Sequence, residues 1–134
     1  RDLTVTGVQT CALPILRVAV GGDVSASRDS LRRQVARYAS NPFYRNFFAE
    51  TGFDKEMSAA ATALADGNLD KAAESITVEM QDQVAIVGTA DECRSALEKR
   101  RGAGLHMPVI APFAVGDNKE SHMHVIDALA PKSP

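Results

Sequence analysis

Gln83 to Gly104, QVAIVGTADECRSALEKRRGAG, decides the fold, because an apolar strand leads straight into a capped helix that closes on glycine. Val84, Ala85, Ile86 and Val87 form a short apolar run of the kind carried by a strand covered on both faces. Gly88 ends it. The Thr89 hydroxyl can accept from the Glu92 N–H while the Glu92 carboxylate reaches back to the Thr89 N–H, satisfying two donors that the first helical turn leaves orphaned. Cys93 and Leu97, with Ala96 beside them, share one apolar stripe, and Arg94, Glu98, Lys99 and Arg101 keep the other side wet. Gly102 and Gly104 can take the left-handed conformation that stops the helix.

The next run, Leu105 to Phe113 (LHMPVIAPF), is apolar again and contains β-branched Val109 and Ile110. It reads as the strand to which the helix returns, lying parallel and next to Val84–Val87. Pro108 suits the strand's start and Pro112 its exit, since neither has an N–H to give a ladder. Function in such units sits at the carboxyl ends of the strands, here Gly88-Thr89 and Pro112-Phe113.

The chain has 134 residues, 45% hydrophobic content and a formal charge of −2, which fits one globular domain and gives no basic surplus for nucleic acid. Its apolar runs fall short of the roughly 20 residues that cross a bilayer, and no secretion signal is recognisable, so a cytoplasmic protein without membrane partners is expected. Two cysteines, Cys11 and Cys93, give neither a disulfide framework nor metal-ligand spacing. Val5 to Ile15, VTGVQTCALPI, resembles a sequencing-library adapter translated in frame. Residues 1–15 are therefore set apart from residues 16–134, and the natural chain is expected to begin earlier. The alternative is a genuine strand, Leu3 to Val8, followed by a loop.

Between Leu16 and Gln83 the pattern is mainly helical. Arg17–Val20 reads as a strand stopped by Gly21-Gly22, and Ser27 as an N-cap with Asp29 in the first turn of a helix carrying Leu31, Val35 and Tyr38. Arg28, Arg32, Arg33 and Arg37 form a solvated face or, alternatively, a phosphate-binding one. Asn41-Pro42 opens a short helix that ends by Gly52 and pairs Phe43 with Phe47 and Tyr44 with Phe48. These aromatics either pack in the core or line a substrate pocket, with Phe43, Tyr44 and Phe47 as pocket candidates. Asp54 reads as the cap of a helix with Met57, Ala60, Ala61 and Leu64, ending at Gly67. Leu69, Ala73, Ile76 and Met80 continue at helical spacing, and a last amphipathic helix starts near Ser121. The whole is α/β. Three neighbouring parallel strands would leave both sheet edges unpaired, which points to truncation and allows self-association into a homo-oligomer.

The ordered set Tyr38-Ala39-Ser40-Asn41-Pro42-Phe43-Tyr44-Arg45, Glu50-Thr51-Gly52-Phe53, Val84 to Glu92 and Gly104 before a strand resembles the luciferase-like monooxygenase family, in its carboxyl-terminal part. The likeness covers Leu16 to about Phe113. Ala90 stands where family members usually have proline after Gly-Thr. The resemblance implies a (β/α)₈ TIM barrel in which Arg17–Val20, Val84–Val87 and Leu105–Ile110 are about the sixth, seventh and eighth strands, with the first five missing. It also implies a parent oxidoreductase that uses FMN, or the deazaflavin coenzyme F420, on a small organic substrate, with the ring at the carboxyl-terminal mouth. Most family residues that hold the ring lie before this stretch, so no catalytic residue carries over and the chain alone is expected to bind no cofactor.

Gly88 and Thr89 are the cofactor-binding candidates, because free N–H groups and the positive end of a helix dipole suit a phosphate; capping alone is the plainer reading. His122 and His124 lie two apart and so diverge on a helix, His106 stands alone, and no metal site is expected. Cys93 reads as a small hydrophobe, with Asp91 and Glu92 opposing a thiolate. The competing function is a non-enzymatic interaction module that docks through the aromatic helix Phe43 to Phe48.

Overall fold

The computed structural model describes residues 15–113, 115 and 117–132. Strands β1 (Ile15–Val20), β2 (Ala85–Gly88) and β3 (Val109–Pro112) form a three-stranded parallel sheet in the order β2-β1-β3. Between β1 and β2 come α1 (Val24–Arg37), a 3₁₀ turn (Tyr38–Ser40), α2 (Pro42–Glu50), α3 (Asp54–Ala65), α4 (Leu69–Glu74) and α5 (Val78–Val84). Helix α6 (Ala90–Gly102) joins β2 to β3, and α7 (Asn118–Leu129) follows β3. No described helix is long and apolar enough to cross a membrane.

The α/β reading holds, but the strand order differs from the expected one. The strands at Val84 and Leu105 are not neighbours: β1 lies between them, pairing Arg17 with Ala85 on one side and Ile15 with Val109 on the other. A central strand must be apolar toward both faces, and β1 is the strand that meets this condition. Leu16, Val18 and Val20 alternate onto one face, against Ile86, Cys93, Leu97 and Val125. Ala19 turns to the other face, where Leu31, Val35, Phe48, Met57 and Met80 form the larger core. By contrast β3 is only partly buried and ends on Pro112, features suited to an edge. A barrel whose strands follow in sequence would put β2 in the middle of the three, so the barrel rests on the resemblance alone.

Several helix boundaries also move. Helix α1 begins before Ser27: Gly21 and Gly22, at φ +76° and +67°, turn the chain at once, and Asp23 caps the helix by accepting from the N–H groups of Ser25 and Ala26 at 2.8 and 3.1 Å. Ser27 is instead buried, its hydroxyl donating to the Asp23 carbonyl at 3.0 Å. Phe53, not Asp54, occupies the cap of α3, and Asp54 is its first residue, where its charge complements the helix dipole. The run Leu69–Met80 is two helices, because Asn68 and Thr77 each cap a new start; Ile76 and Met80 still reach the core. Asp117 starts α7 earlier than Ser121, accepting from the Glu120 N–H at 2.8 Å.

Helix α6 has the expected cap at its start, and of the two glycines expected to stop it Gly104 alone is left-handed, Gly102 being the last helical residue. Thr89 and Glu92 form the reciprocal capping pair. At the other end Gly104, at φ +110°, lets its own N–H reach Arg101 and the Leu105 N–H reach Arg100, the paired closure of a Schellman turn. The arginines of α1 lie largely in ion pairs, Arg28 with Asp82 at 2.7 Å, Arg33 with Asp70, and Arg32 with Asp29 at 3.6 Å.

Candidate functional site

The chain leaves β1 toward β2 on one side and later crosses to the opposite side to form β3, so its direction reverses between β1 and β3. In open parallel sheets the crevice outside the strand ends at such a reversal is the usual ligand site. A cavity of about 190 Å³ lies there, walled by the Gly21-Gly22-Asp23 turn, Ser27 and Phe113 and, from α7 and the loop before it, Val115, Asp117, Glu120, Ser121 and His124.

Local folding places each of these groups. The Gly21 N–H donates to the Gly88 carbonyl at 2.8 Å, tying the turns after β1 and β2 together. The Ser121 hydroxyl donates to the Val115 carbonyl at 2.7 Å and accepts from the Val115 N–H at 3.3 Å, pinning the far wall. Glu120 Oε1 stands 3.7 Å from His124 Nε2, an ion pair when the imidazole is protonated. Asp23 and Asp117 use their carboxylates on the N-terminal donors of α1 and α7. The cavity is therefore rich in acceptors and repels anions; it suits a hydroxyl or ammonium group of a small molecule. Its volume is below the roughly 300–1,000 Å³ of pockets that enclose a drug-sized ligand. Sequence reasoning took Gly21-Gly22 as a strand stop only; the signal for the cavity was the Gly-Gly-Asp turn that follows an apolar strand.

Gly88 and Thr89 sit on the same edge of the sheet, but their donors are occupied. The Thr89 N–H donates to Glu92 Oε2 at 2.8 Å, and a Cβ added at Gly88 would come within 2.6 Å of that same oxygen. The bonds from the Thr89 backbone and then its side chain hold the Glu92 carboxyl below its ordinary range. A cofactor phosphate does not fit this turn unless Glu92 swings out.

Phe43, Tyr44 and Phe47 lie at the other end of the sheet. Helix α1 starts at Asp23 on the carboxyl edge and runs 14 residues, about 21 Å, to Tyr38, whose hydroxyl accepts from Arg17 Nε at 2.7 Å and whose ring stacks on Tyr44 at 4.4 Å. Of the four aromatic side chains on α2 only Phe48 is in the core; Phe43, Tyr44 and Phe47 are exposed, Phe43 by 71%, and line neither described cavity. The two groups of site candidates are thus not brought together.

Cys93 is fully buried, its thiol directed at the Ala19 carbonyl at 3.6 Å. Burial, and after it the Glu92 charge, push that thiol up to about 11, which makes it a poor nucleophile near neutrality. Cys11 lies outside the described residues. His106 and His122 are exposed, and among the described residues no three His, Cys, Asp or Glu side chains are grouped to hold a metal ion. Comparison with protein-family models, curated proteins and solved structures found no match.

Proposed function

We propose that the chain is the carboxyl-terminal part of a cytoplasmic flavin- or deazaflavin-dependent oxidoreductase of the luciferase-like type, acting on a small organic substrate and inactive by itself. The observation that carries this reading is the ordered residue set from Tyr38 to Gly104, of which Ala85–Gly88 forms a strand parallel to β1, so that the turns Gly21-Gly22 and Gly88-Thr89 open onto one edge. That edge is where a (β/α)₈ barrel keeps its reactive centre. Because Glu92 fills the turn expected to take a phosphate, the reading assigns FMN or coenzyme F420 to other parts of the parent. It gives this chain a share of the mouth, with the Asp23–His124 cavity facing substrate.

The test is to recover the DNA upstream of the adapter-like segment and express the extended protein. It is expected to quench the fluorescence of FMN or coenzyme F420 on binding, while residues 16–134 alone quench neither. An extended protein that binds neither ends the reading. The exposure of Phe43, Tyr44 and Phe47 favours a second reading, an interaction module docking through α2. Retention of partner binding by residues 16–134, lost on Phe43→Ser, would select it.

A further inference from the structure

The outer edge of β2 is the floor of a second cavity, about 560 Å³, walled by Arg28 of α1 and Asp82 of α5 on one side and by Glu92, Lys99 and Arg100 of α6 on the other. Consecutive residues Ala85, Ile86 and Val87 all line it, although their side chains alternate between faces, so the groove exposes the strand's backbone. Alternate residues of a parallel strand turn their polar groups to the same neighbour. The Gly88 carbonyl accepts from Gly21 on the β1 side, whereas the Ala85 carbonyl accepts from Arg100 on the outer side at 3.2 Å, so Val87 also turns outward. Among the described residues, β2 pairs with β1 only.

The groove's charges are unbalanced in use. Asp82 is paired with Arg28 and Glu92 is committed to the Thr89 N–H. Among the described residues, Arg100 donates only to the carbonyls of Asp82 and Ala85, and Lys99 has no ion-pair partner. We propose that this groove docks an extended acidic segment of a second polypeptide, which adds a strand to β2 through Val87 and sets its carboxylates against Lys99 and Arg100. Backbone pairing supplies the register, and the two cations select the sign of the partner's charge. The proposal does not rest on the cofactor reading and competes with it at this edge, because a closed barrel would pair the outer side of β2 within the parent.

Fluorescence polarisation with the labelled peptide TVEVDV, against TVKVKV and the proline-interrupted TVEPDV, tests it on the full chain. TVEVDV is expected to bind in a salt-sensitive manner, to protect the Val87 amide from hydrogen exchange, and to bind about tenfold more weakly to Lys99→Glu, a change that touches no described hydrogen bond. Arg100→Gln is expected to weaken it too, and circular dichroism reports whether that variant folds. Equal binding of TVEVDV and TVEPDV overturns strand addition. Displacement by inorganic phosphate without protection at Val87 makes the groove a small-anion site and overturns the proposal as well.

Discussion

Thr89 and Glu92 hold each other across the first turn of α6: Glu92 Oε2 accepts the Thr89 N–H at 2.8 Å while Thr89 Oγ1 accepts the Glu92 N–H at 3.2 Å. The pair fixes where β2 ends and which way the crossover helix departs. Replacing Thr89 by alanine removes the acceptor and is expected to lower stability by about 1 kcal/mol, read as a reduced urea midpoint with unchanged slope. An unchanged midpoint would show that the cap contributes nothing in this context.

The same pair gives a pH dependence. Because the Glu92 carboxyl is held below its unfolded value, its contribution is complete above the unfolded pKa and is lost as pH falls through the folded one. Acid titration of stability should therefore be shallower in Glu92→Gln than in the parent chain below about pH 4.3, the ordinary glutamate value. Identical acid profiles would contradict the bond.

What the sequence made legible was local. The Thr89 cap, Gly104 closure and buried Cys93–Leu97 stripe each depend on residues within about one or two helical turns, and all stand in the structure. The position of β1 between β2 and β3 depends on which strand can bury both faces, a property of the assembled sheet, and pairing from neighbourhood in sequence missed it. Asp23 was hidden by a competing cap signal at Ser27; the Gly21-Gly22 turn, by starting the helix early, made Ser27 a buried residue of the first turns. Aromatic spacing on α2 set Phe43 with Phe47 and Tyr44 with Phe48, whereas the ring contacts run from Phe43 to Tyr44, from Tyr44 to Tyr38 and from Phe47 to Phe48, and the spacing did not tell which edge of that helix the core would cover.

That last point is testable by a contrast within one helix. Phe48 is completely buried in the main core, so Phe48→Ala should cost about 3–5 kcal/mol, whereas exposed Phe43→Ala should stay within about 0.5 kcal/mol. Comparable losses from both would place Phe43 in an interface that the isolated fold does not contain.

Cys93 should behave as core rather than chemistry. In a Cys11→Ser background, which leaves one thiol, a disulfide reagent at neutral pH should react only once urea unfolds the chain. Since folding raises the thiol from an ordinary value of 9.0 to about 11, the stability it confers is intact below pH 9 and is lost as pH rises through that window. Cys93→Ala should flatten this alkaline loss; rapid labelling of the native chain would refute burial.

Gln81 carries the opposite expectation, a substitution that strengthens the fold. Its side chain is wholly buried on α5, and neither Oε1 nor Nε2 has a hydrogen-bond partner among the described residues. An amide taken from water without such bonds costs about 1–3 kcal/mol by protein substitution data. Methionine keeps nearly the same length and unbranched shape while removing both polar atoms, so Gln81→Met should introduce no cavity. Stability is expected to rise by about 1 kcal/mol or more, seen as a higher urea midpoint at constant slope. Gln81→Glu, which buries a charge in the same place, should lower it sharply at neutral pH and recover in acid as the carboxyl is protonated. If Gln81→Met instead weakens the fold, the amide has partners in solution, and the interface between α5 and the sheet holds polar contacts that its packing conceals.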